Sequence, residues 1–116
     1  MKVAIIGSRQ FSDYDLLKKH LNKFDGVVKE IVSGGAAGAD KLAERFAKEK
    51  GIKMTVVKPE WNKYGKSAGV IRNKEIVEKA DYCVAFWDGQ SKGTSYGIKH
   101  CELLGKPVEV IKIKVA

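Results

Sequence analysis

Glycine-rich turns and cationic side chains that suit phosphate binding recur along this 116-residue chain. The richest stretch covers residues 33–40, with Ser33 at its start, glycine at positions 34, 35 and 38, and Asp40 at its end. Glycine lets the backbone approach a ligand closely, and amides at the start of a helix attract anions, so Gly34, Gly35 and Gly38 predict a phosphate cradle. The alternative is a tight turn that needs glycine only for its dihedral angles.

This stretch matches neither of the two common phosphate-binding motifs. No Gly-Lys-Ser/Thr follows it, as a Walker loop would require, and its glycines do not have the G-x-G-x-x-G spacing. Lys58 stands about where a dinucleotide fold would place an acidic residue for a ribose. A standard hydride-transfer site is therefore disfavoured, and Asp40 is interpreted either as a helix cap or as a contact to a ribose hydroxyl.

Two further turns carry groups that bind anions. Arg9 follows Gly7 and Ser8, and its guanidinium could hold a phosphate or carboxylate through two hydrogen bonds. Gly93 and Thr94 begin a predicted helix, where the hydroxyl and the neighbouring amides could hold a second polar group. The plain alternatives are a surface arginine and an ordinary helix cap.

The middle of the chain adds an aromatic side chain and more positive charge. Trp61 lies in a predicted loop near Lys66, where it is suited to stack on a base or, alternatively, to hold the loop against the domain. Arg72 and Asn73 fall in the second turn of a predicted helix and are unusual choices for a face that only packs.

The residues predict neither a metal site nor a required cofactor. His20 and His100 have no cysteine or carboxylate at the spacing of a metal site. Cys83 and Cys101 fall in different predicted elements without a redox motif, so we expect both to be thiols used for packing.

Short apolar runs that alternate with segments of helical period must position these groups. Predicted strands cover 3–6, 27–32, 53–57, 82–86 and 107–113, and predicted helices cover 13–24, 67–79 and 94–104, with another that ends at Gly51. Ser12 is predicted to cap the first helix through a capping box with Asp15. Strands separated by helices predict a Rossmann-like, doubly wound α/β fold, a mainly parallel five-stranded sheet with helices on both faces.

Such a sheet would bring the candidate residues to one edge. Ligands of open α/β sheets bind beyond the carboxyl ends of the strands, and the glycine and polar clusters follow strands, whereas the connections after helices are short. We therefore expect the residues around Gly35 and Gly93 to converge, and opposite positions in the molecule would refute the interpretation.

Length and composition limit the number of domains and the kinds of partner that the protein can have. The length predicts one domain over residues 1–116, and no apolar run approaches the roughly 20 residues of a membrane helix, so a cytoplasmic protein without a membrane partner is expected. Twenty-two Lys and Arg against fourteen Asp and Glu give a net charge of +8, which favours anionic partners. Apolar helix faces leave a homo-oligomer possible.

The motifs together resemble a known family, the YspA-type, YpsA-related branch of the SLOG superfamily. The resemblance covers nearly the whole chain and rests on Gly7-Ser8-Arg9, residues 32–40, Leu42-Ala43, Trp61, Tyr64-Gly65-Lys66, Ala68-Gly69, Arg72-Asn73, residues 85–89, Ser91, Gly93-Thr94 and Gly105-Lys106-Pro107. It implies a Rossmann-like domain that binds nucleotides or nucleotide-derived ligands such as NAD or ADP-ribose derivatives. Members of the superfamily include DNA-processing protein A, which handles single-stranded DNA, cytokinin-activating phosphoribohydrolases, and sensor modules of conflict systems.

The hydrolase branch carries P-G-G-x-G-T-x-x-E, and this chain departs from that pattern. Gly93 and Thr94 match, and Arg72 resembles the arginine of those enzymes, but Gly97 stands in place of the catalytic glutamate. Without that carboxylate, acid/base cleavage of a glycosidic bond lacks its obvious agent.

Three functions follow from these residues. The first is sensing or sequestering a phosphorylated nucleotide-like molecule, with Asp88 in the turn before Gly93 among the binding residues. The second is hydrolysis of a nucleotide N-glycosidic bond, with Asp88 or Asp40 as acid/base and Arg72 on the phosphate. The third, single-stranded nucleic-acid binding, is favoured by the net charge.

Overall fold

Five parallel strands form one sheet in the computed structural model, which describes residues 1–24 and 26–114. They are β1 (Lys2–Gly7), β2 (Glu30–Ser33), β3 (Lys53–Val56), β4 (Tyr82–Trp87) and β5 (Val108–Lys112), in the order β3-β2-β1-β4-β5. Each of the four strand pairings is parallel. The predicted Rossmann-like α/β class is confirmed, and the sheet is wholly parallel where a mainly parallel one was expected.

The helices follow the predicted order but differ at their ends. They are α1 (Tyr14–Leu21), α2 (Ala39–Lys50), α3 (Trp61–Tyr64), α4 (Ala68–Glu78) and α5 (Lys92–Leu103), with 3₁₀ turns at Asn22–Phe24 and Gly65–Ser67. Two predictions are wrong here. The carboxylate of Asp13, not the side chain of Ser12, caps α1 by accepting from the Leu16 amide at 3.1 Å. The segment around Trp61, predicted as a loop, contains α3.

The alternation of side chains along β1 divides the core into two layers. Val3 and Ile5 belong to the cluster formed with α1 and α2, whereas Ala4 and Ile6 belong to the cluster formed with α4 and α5. All four side chains are at most 2% exposed. Each isoleucine or valine buried in this way stabilises the fold by about 1.5–3 kcal/mol, so the sheet is a rigid support for the turns at its edge.

The strand order creates a crevice at one edge of the sheet. The chain passes from β1 to β2 and β3 on one side, then crosses to β4 and β5 on the other. The turns after β1 and β4 therefore lead away from each other, which opens the sheet edge at the position where such folds bind ligands.

The remaining titratable candidates stay outside this crevice. Cys83 and Cys101 are free, fully buried thiols, as predicted, and burial beside Cys101 raises the pKa of Cys83. His20 and His100 each lie within 3.2 Å of a glutamate oxygen.

Residues 1–24 and 26–114 contain no cluster that could hold a metal ion, and none of the helices formed by them is long and apolar enough to span a membrane.

Candidate functional site

A cavity of about 550 Å³ lies at the carboxyl edge of the sheet, between the ends of β1 and β4. We call it the switch-point cavity. It is lined by Gly7, Ser8, Arg9, Gln10, Ala36, Asp40, Trp61, Lys66, Gly69, Val70, Arg72, Asn73, Asp88, Gln90, Ser91, Gly93 and Thr94. A second opening of about 510 Å³, the side cavity, adjoins it and is lined by Arg9, Gly34, Gly35, Ala36, Ala37, Lys58, Pro59, Trp61 and Arg72.

The turn after β1 is fixed by backbone hydrogen bonds, and it presents Arg9. The Ser8 amide donates to the Phe86 carbonyl at 3.0 Å, and the Ser8 carbonyl accepts from the Ala39 amide at 3.1 Å. A Cβ on Gly7 would lie 2.7 Å from the Ala39 Cβ, so only glycine lets β1 end against α2. Arg9 itself is exposed and borders both cavities.

The turn after β2, residues 34–38, is held together by Asp40. One carboxylate oxygen accepts from the Ser33 hydroxyl at 2.6 Å, and the other accepts from the Ala36 amide at 3.1 Å. Burial raises the pKa of Asp40, while these hydrogen bonds and the charge of Arg72 act in the opposite direction. Asp40 is not the N-cap of α2, which is Gly38, but it lies in the first turn of the helix, where the helix dipole favours an acidic residue.

The glycines of this β2 turn accommodate other parts of the protein. A Cβ on Gly34 would lie 2.7 Å from Arg72 Nη1, and one on Gly38, whose φ is +76°, would lie 2.5 Å from the Arg9 carbonyl oxygen. The residues of the predicted cradle do not all border the two cavities. The Ala36 amide faces Asp40, Ser33 and Gly38 line neither cavity, and Gly34 and Gly35 border only the side cavity.

Arg72 connects the two cavities from the second turn of α4. Its side chain is 7% exposed, and Nη1 donates to the Gly34 carbonyl at 3.2 Å. Nε has no hydrogen-bond partner among residues 1–24 and 26–114. Burial lowers the pKa of Arg72, Asp40 raises it, and the charge of Arg9 lowers it again. A buried N–H donor without an acceptor is costly, so this side chain is held in place at the expense of stability.

The turn after β4, residues 88–91, leaves the start of α5 facing the switch-point cavity. Asp88 Oδ1 accepts from the amides of Gln90 at 2.9 Å and Ser91 at 2.8 Å, and these bonds lower the pKa of Asp88. Ser91 is the N-cap of α5, but its side chain makes no capping hydrogen bond. Gly93 and Thr94, in the first turn, line the cavity, where helix amides favour negative charge.

The outer wall of the switch-point cavity is formed by α3 and the start of α4. Trp61 is 52% exposed, and its ring lies 3.9 Å from the position of a Cβ on Gly69. Asn73 Nδ2 lies 3.2 Å from the position of a Cβ on Gly93, which connects α4 with α5 across the cavity. Trp61 borders both cavities, so one face of a bound base could stack on it.

The position that corresponds to the hydrolase glutamate is closed by the core. Gly97 is buried, and a Cβ placed on it would lie 2.7 Å from Ile6 Cδ1. The acidic residues in the cavity lining are Asp40 and Asp88, and each already accepts two hydrogen bonds that hold its own turn.

The structure brings together most of the residues proposed from the sequence. The switch-point cavity contains Gly7, Ser8, Arg9, Asp40, Trp61, Arg72, Asn73, Asp88, Gly93 and Thr94. Sequence reasoning missed Gln10, Ala36, Gly69, Val70, Gln90 and Ser91 as individual lining residues. The helical period could have found two of them, because Gly69 and Val70 precede Asn73 by four and three positions and so share its face of α4.

The strand order, the crevice and the uncapped helix start define a Rossmann-like α/β domain with an anion-attracting cavity at the switch point. The chain belongs to the YspA, cpYpsA-related SLOG family, whose sequence model matches residues 1–64. It is also 38% identical over 118 residues to the gene 61 protein of Mycobacterium phage D29, across 92% of this chain and 93% of that protein. The resemblance found in the motifs is thus confirmed.

Solved structures share the fold at lower sequence identity. DNA processing protein A from Streptococcus pneumoniae superposes with a TM-score of 0.81 at 23% identity, covering 97% of this chain and 50% of that one. The Helicobacter pylori protein of the same name gives 0.74 at 22%, covering 98% and 66%. The protein TM1055 gives 0.66 at 20%, covering 92% and 71%. The chain thus spans half to two thirds of the DNA processing proteins, and the likeness concerns the fold.

Proposed function

We propose that the switch-point cavity binds a phosphorylated, nucleotide-derived ligand, as a sensing or sequestering site. The observation that carries this proposal is the cavity at the carboxyl ends of β1 and β4, which Arg9 and the nearly buried Arg72 both line beside the start of α5. The positive charges of Arg9 and Arg72 repel each other, and the carboxylate of Asp40 offsets this only at Arg72. A phosphate between them would accept charged hydrogen bonds from both side chains.

The other lining residues have complementary roles. Gly93 and Thr94 offer the first-turn amides and a hydroxyl of α5 to a second polar group of the ligand. Trp61 provides an aromatic face for the base, and Lys66 adds positive charge to the same wall. NAD and ADP-ribose derivatives, which the family resemblance suggests, have all of these features.

Calorimetric titration with AMP and with adenosine tests the proposal. We expect AMP to bind at least about tenfold more tightly than adenosine, because the phosphate makes the charged hydrogen bonds. Arg9→Met should weaken AMP binding by about tenfold without unfolding the protein, since Arg9 is exposed. Lys19→Met, which removes one exposed charge from α1, is the control and should change nothing. Equal affinities for AMP and adenosine, or no heat with either, would refute the proposal.

Binding without cleavage is supported by Gly97, because the chain has no carboxylate at the position of the hydrolase glutamate. Incubating the pure protein with AMP and measuring free adenine checks this point. Release of adenine that Asp88→Asn abolishes would show that the chain is an N-glycosidic hydrolase with Asp88 as its acid/base.

Single-stranded nucleic-acid binding is the second candidate function. The net charge of +8 and the half-exposed Trp61 favour it, and DNA processing protein A from Helicobacter pylori has a single-stranded DNA binding mode of its own. A gel shift with a 20-nucleotide strand should then appear at low salt and weaken steeply as salt rises. Absence of a shift at low salt, while AMP binds, would eliminate this candidate.

A further inference from the structure

Strand β5 forms one edge of the sheet, and half of its backbone groups face away from the other strands. In the part of the chain that the structure describes, it pairs with β4 alone. The Pro107 carbonyl and the Ile113 amide make hydrogen bonds to β4 at 3.0 and 2.9 Å. Successive residues of a strand bond to opposite sides, so the amides and carbonyls of Val108, Val110 and Lys112 point to the free edge.

Apolar side chains beside this edge are partly uncovered. Val108 packs against the core cluster formed with α4 and α5, so Val110, two positions later, lies on the same face of the sheet. Val110 is 44% exposed, and Leu103 and Leu104 at the end of α5 are exposed as well. An edge strand with an exposed apolar centre is a template for pairing with another chain.

The opposite edge of the sheet offers fewer backbone groups. There the Val57 amide donates to the Ser33 carbonyl of β2 at 2.8 Å, so Met54 and Val56 are the residues of β3 that face outwards. Two β3 strands could form about four hydrogen bonds with each other, whereas two β5 strands could form about six. The β5 edge is therefore better suited to a partner strand.

A two-fold axis at Val110 matches the free groups of β5 in two copies of the chain. Antiparallel pairing around this axis places Val110 opposite its own copy and Val108 opposite Lys112, so each outward amide and carbonyl meets a partner. An axis at Glu109 would bring two carboxylates opposite each other, which is destabilising. An axis at Ile111 would leave Val108 without a partner inside the strand. The edge is thus self-complementary around Val110.

We infer that the chain forms a two-fold homodimer in which β5 pairs antiparallel with β5 of a second copy, so that the two sheets become one. This inference is independent of the ligand proposed above. The net charge of +8 on each copy opposes association, so the dimer should tighten as salt rises.

Sedimentation equilibrium between about 5 and 500 µM protein tests the inference. We expect the average mass to rise from that of one chain towards that of two. Val110→Lys would place two lysines side by side on the axis and should weaken association by at least about tenfold. Val56→Lys puts the same charge on the other edge strand, where the valine is also exposed, and as the matched control should associate like the wild type.

Amide hydrogen exchange of the wild type locates the contact without any substitution. In a single chain the amides of Val108, Val110 and Lys112 face water, whereas those of Glu109 and Ile111 bond to β4. Dilution from about 500 to 5 µM should therefore speed exchange severalfold at the first three amides and leave the other two unchanged. This measurement decides the question alone if Val110→Lys does not fold.

Several results would overturn the inference. One is the mass of a single chain over the whole concentration range, and another is equal association of Val110→Lys and the wild type. Exchange at Val110 that does not change with concentration would do the same. Association that Leu103→Lys abolishes and Val110→Lys does not would place the interface on the outer face of α5 instead. Among the described residues, none of β5 lines the switch-point or side cavity, so these outcomes leave the proposed function standing.

Discussion

The turns after β2 and β4 each join a strand to a helix and each have a glycine and an acidic residue in or beside them, but their surroundings differ. In the β2 turn, Arg72 approaches Gly34 and the backbone at Arg9 approaches Gly38, so parts of the protein occupy the space that glycine provides. After β4, a Cβ on Gly93 would meet only the end of the Asn73 side chain, at 3.2 Å, and Gly93 borders the switch-point cavity.

The acidic residue of each turn shows the same contrast. Asp40 is buried, and burial raises its pKa, whereas Asp88 accepts from the Ser91 and Gln90 amides, which lower its pKa. A glycine-rich turn between a strand and a helix therefore indicates that some group lies close to the backbone. The sequence does not tell whether that group is another part of the protein or a ligand. The β2 turn is built chiefly for packing, and the β4 turn leaves its helix amides facing the cavity.

The largest expected effect is loss of stability on substitution of Gly38. A Cβ there would overlap the carbonyl groups of Ser8 and Arg9, and the φ of +76° is unfavourable for any L side chain. We expect Gly38→Ala to lower the free energy of unfolding by more than about 3 kcal/mol, measured by urea denaturation.

Gly51 offers a matched control for Gly38. Its φ is +66°, but a Cβ there would have no atom within 4 Å, so Gly51→Ala carries only the dihedral cost of about 1 kcal/mol. Equal losses in the two variants would mean that the β2 turn is not packed against the β1 turn.

A smaller effect distinguishes Gly34 from Gly93. Gly34→Ala forces the Arg72 side chain to move and should destabilise the protein by about 1–3 kcal/mol. Gly93→Ala adds a good helix former beside a movable amide and should change stability by less than about 1 kcal/mol.

Ligand binding gives the second half of this test. We expect Gly93→Ala to weaken AMP binding by about tenfold in calorimetry at nearly unchanged stability, because its methyl group enters the cavity. If Gly93→Ala instead destabilises the fold as much as Gly34→Ala does, the space beside both glycines is filled by the protein. The proposed difference between a packed β2 turn and a cavity-facing β4 turn is then wrong.

Much of the fold was predictable because periodicity and turn position are local signals. The β-branched runs predicted the five strands of the sheet. The rule that ligands bind beyond the carboxyl ends of strands predicted that residues as distant as Arg9 and Thr94 lie at the same edge of the sheet, and both line the switch-point cavity. A helix was predicted to end at Gly51, and this residue is the C-cap of α2, with a left-handed φ of +66°.

The partners of buried groups were not predictable, because they depend on packing between distant segments. Arg72 and Gly34 are 38 positions apart, so nothing local indicates that the guanidinium occupies the space above that glycine. The cap of α1 was missed for a related reason. Ser12 and Asp13 are both good capping residues, and only the geometry of the turn decides between them.

The smallest expected effect is a difference between Asp40 and Asp88 in the dependence of stability on pH. Burial raises the pKa of Asp40 above its ordinary value of 3.8, so the folded state binds the proton more tightly than the unfolded state. The contribution of Asp40 to stability is then largest below pH 3.8 and falls as the pH rises through the folded pKa. Asp88 has a lowered pKa, so its contribution is present above pH 3.8 and is lost as the pH falls through the folded pKa.

Urea denaturation of the wild type, Asp40→Asn and Asp88→Asn between about pH 3 and pH 6 tests these opposite signs. Asparagine does not titrate, so subtracting each variant from the wild type isolates one carboxyl group from all the others. The difference for Asp40 should decrease with rising pH, and the difference for Asp88 should increase. Two differences that change in the same direction would mean that the two turns hold their carboxyl groups in equivalent environments. The β2 turn with its buried Asp40 and the cavity-facing β4 turn would then no longer be distinguishable by the pKa of their carboxyl groups.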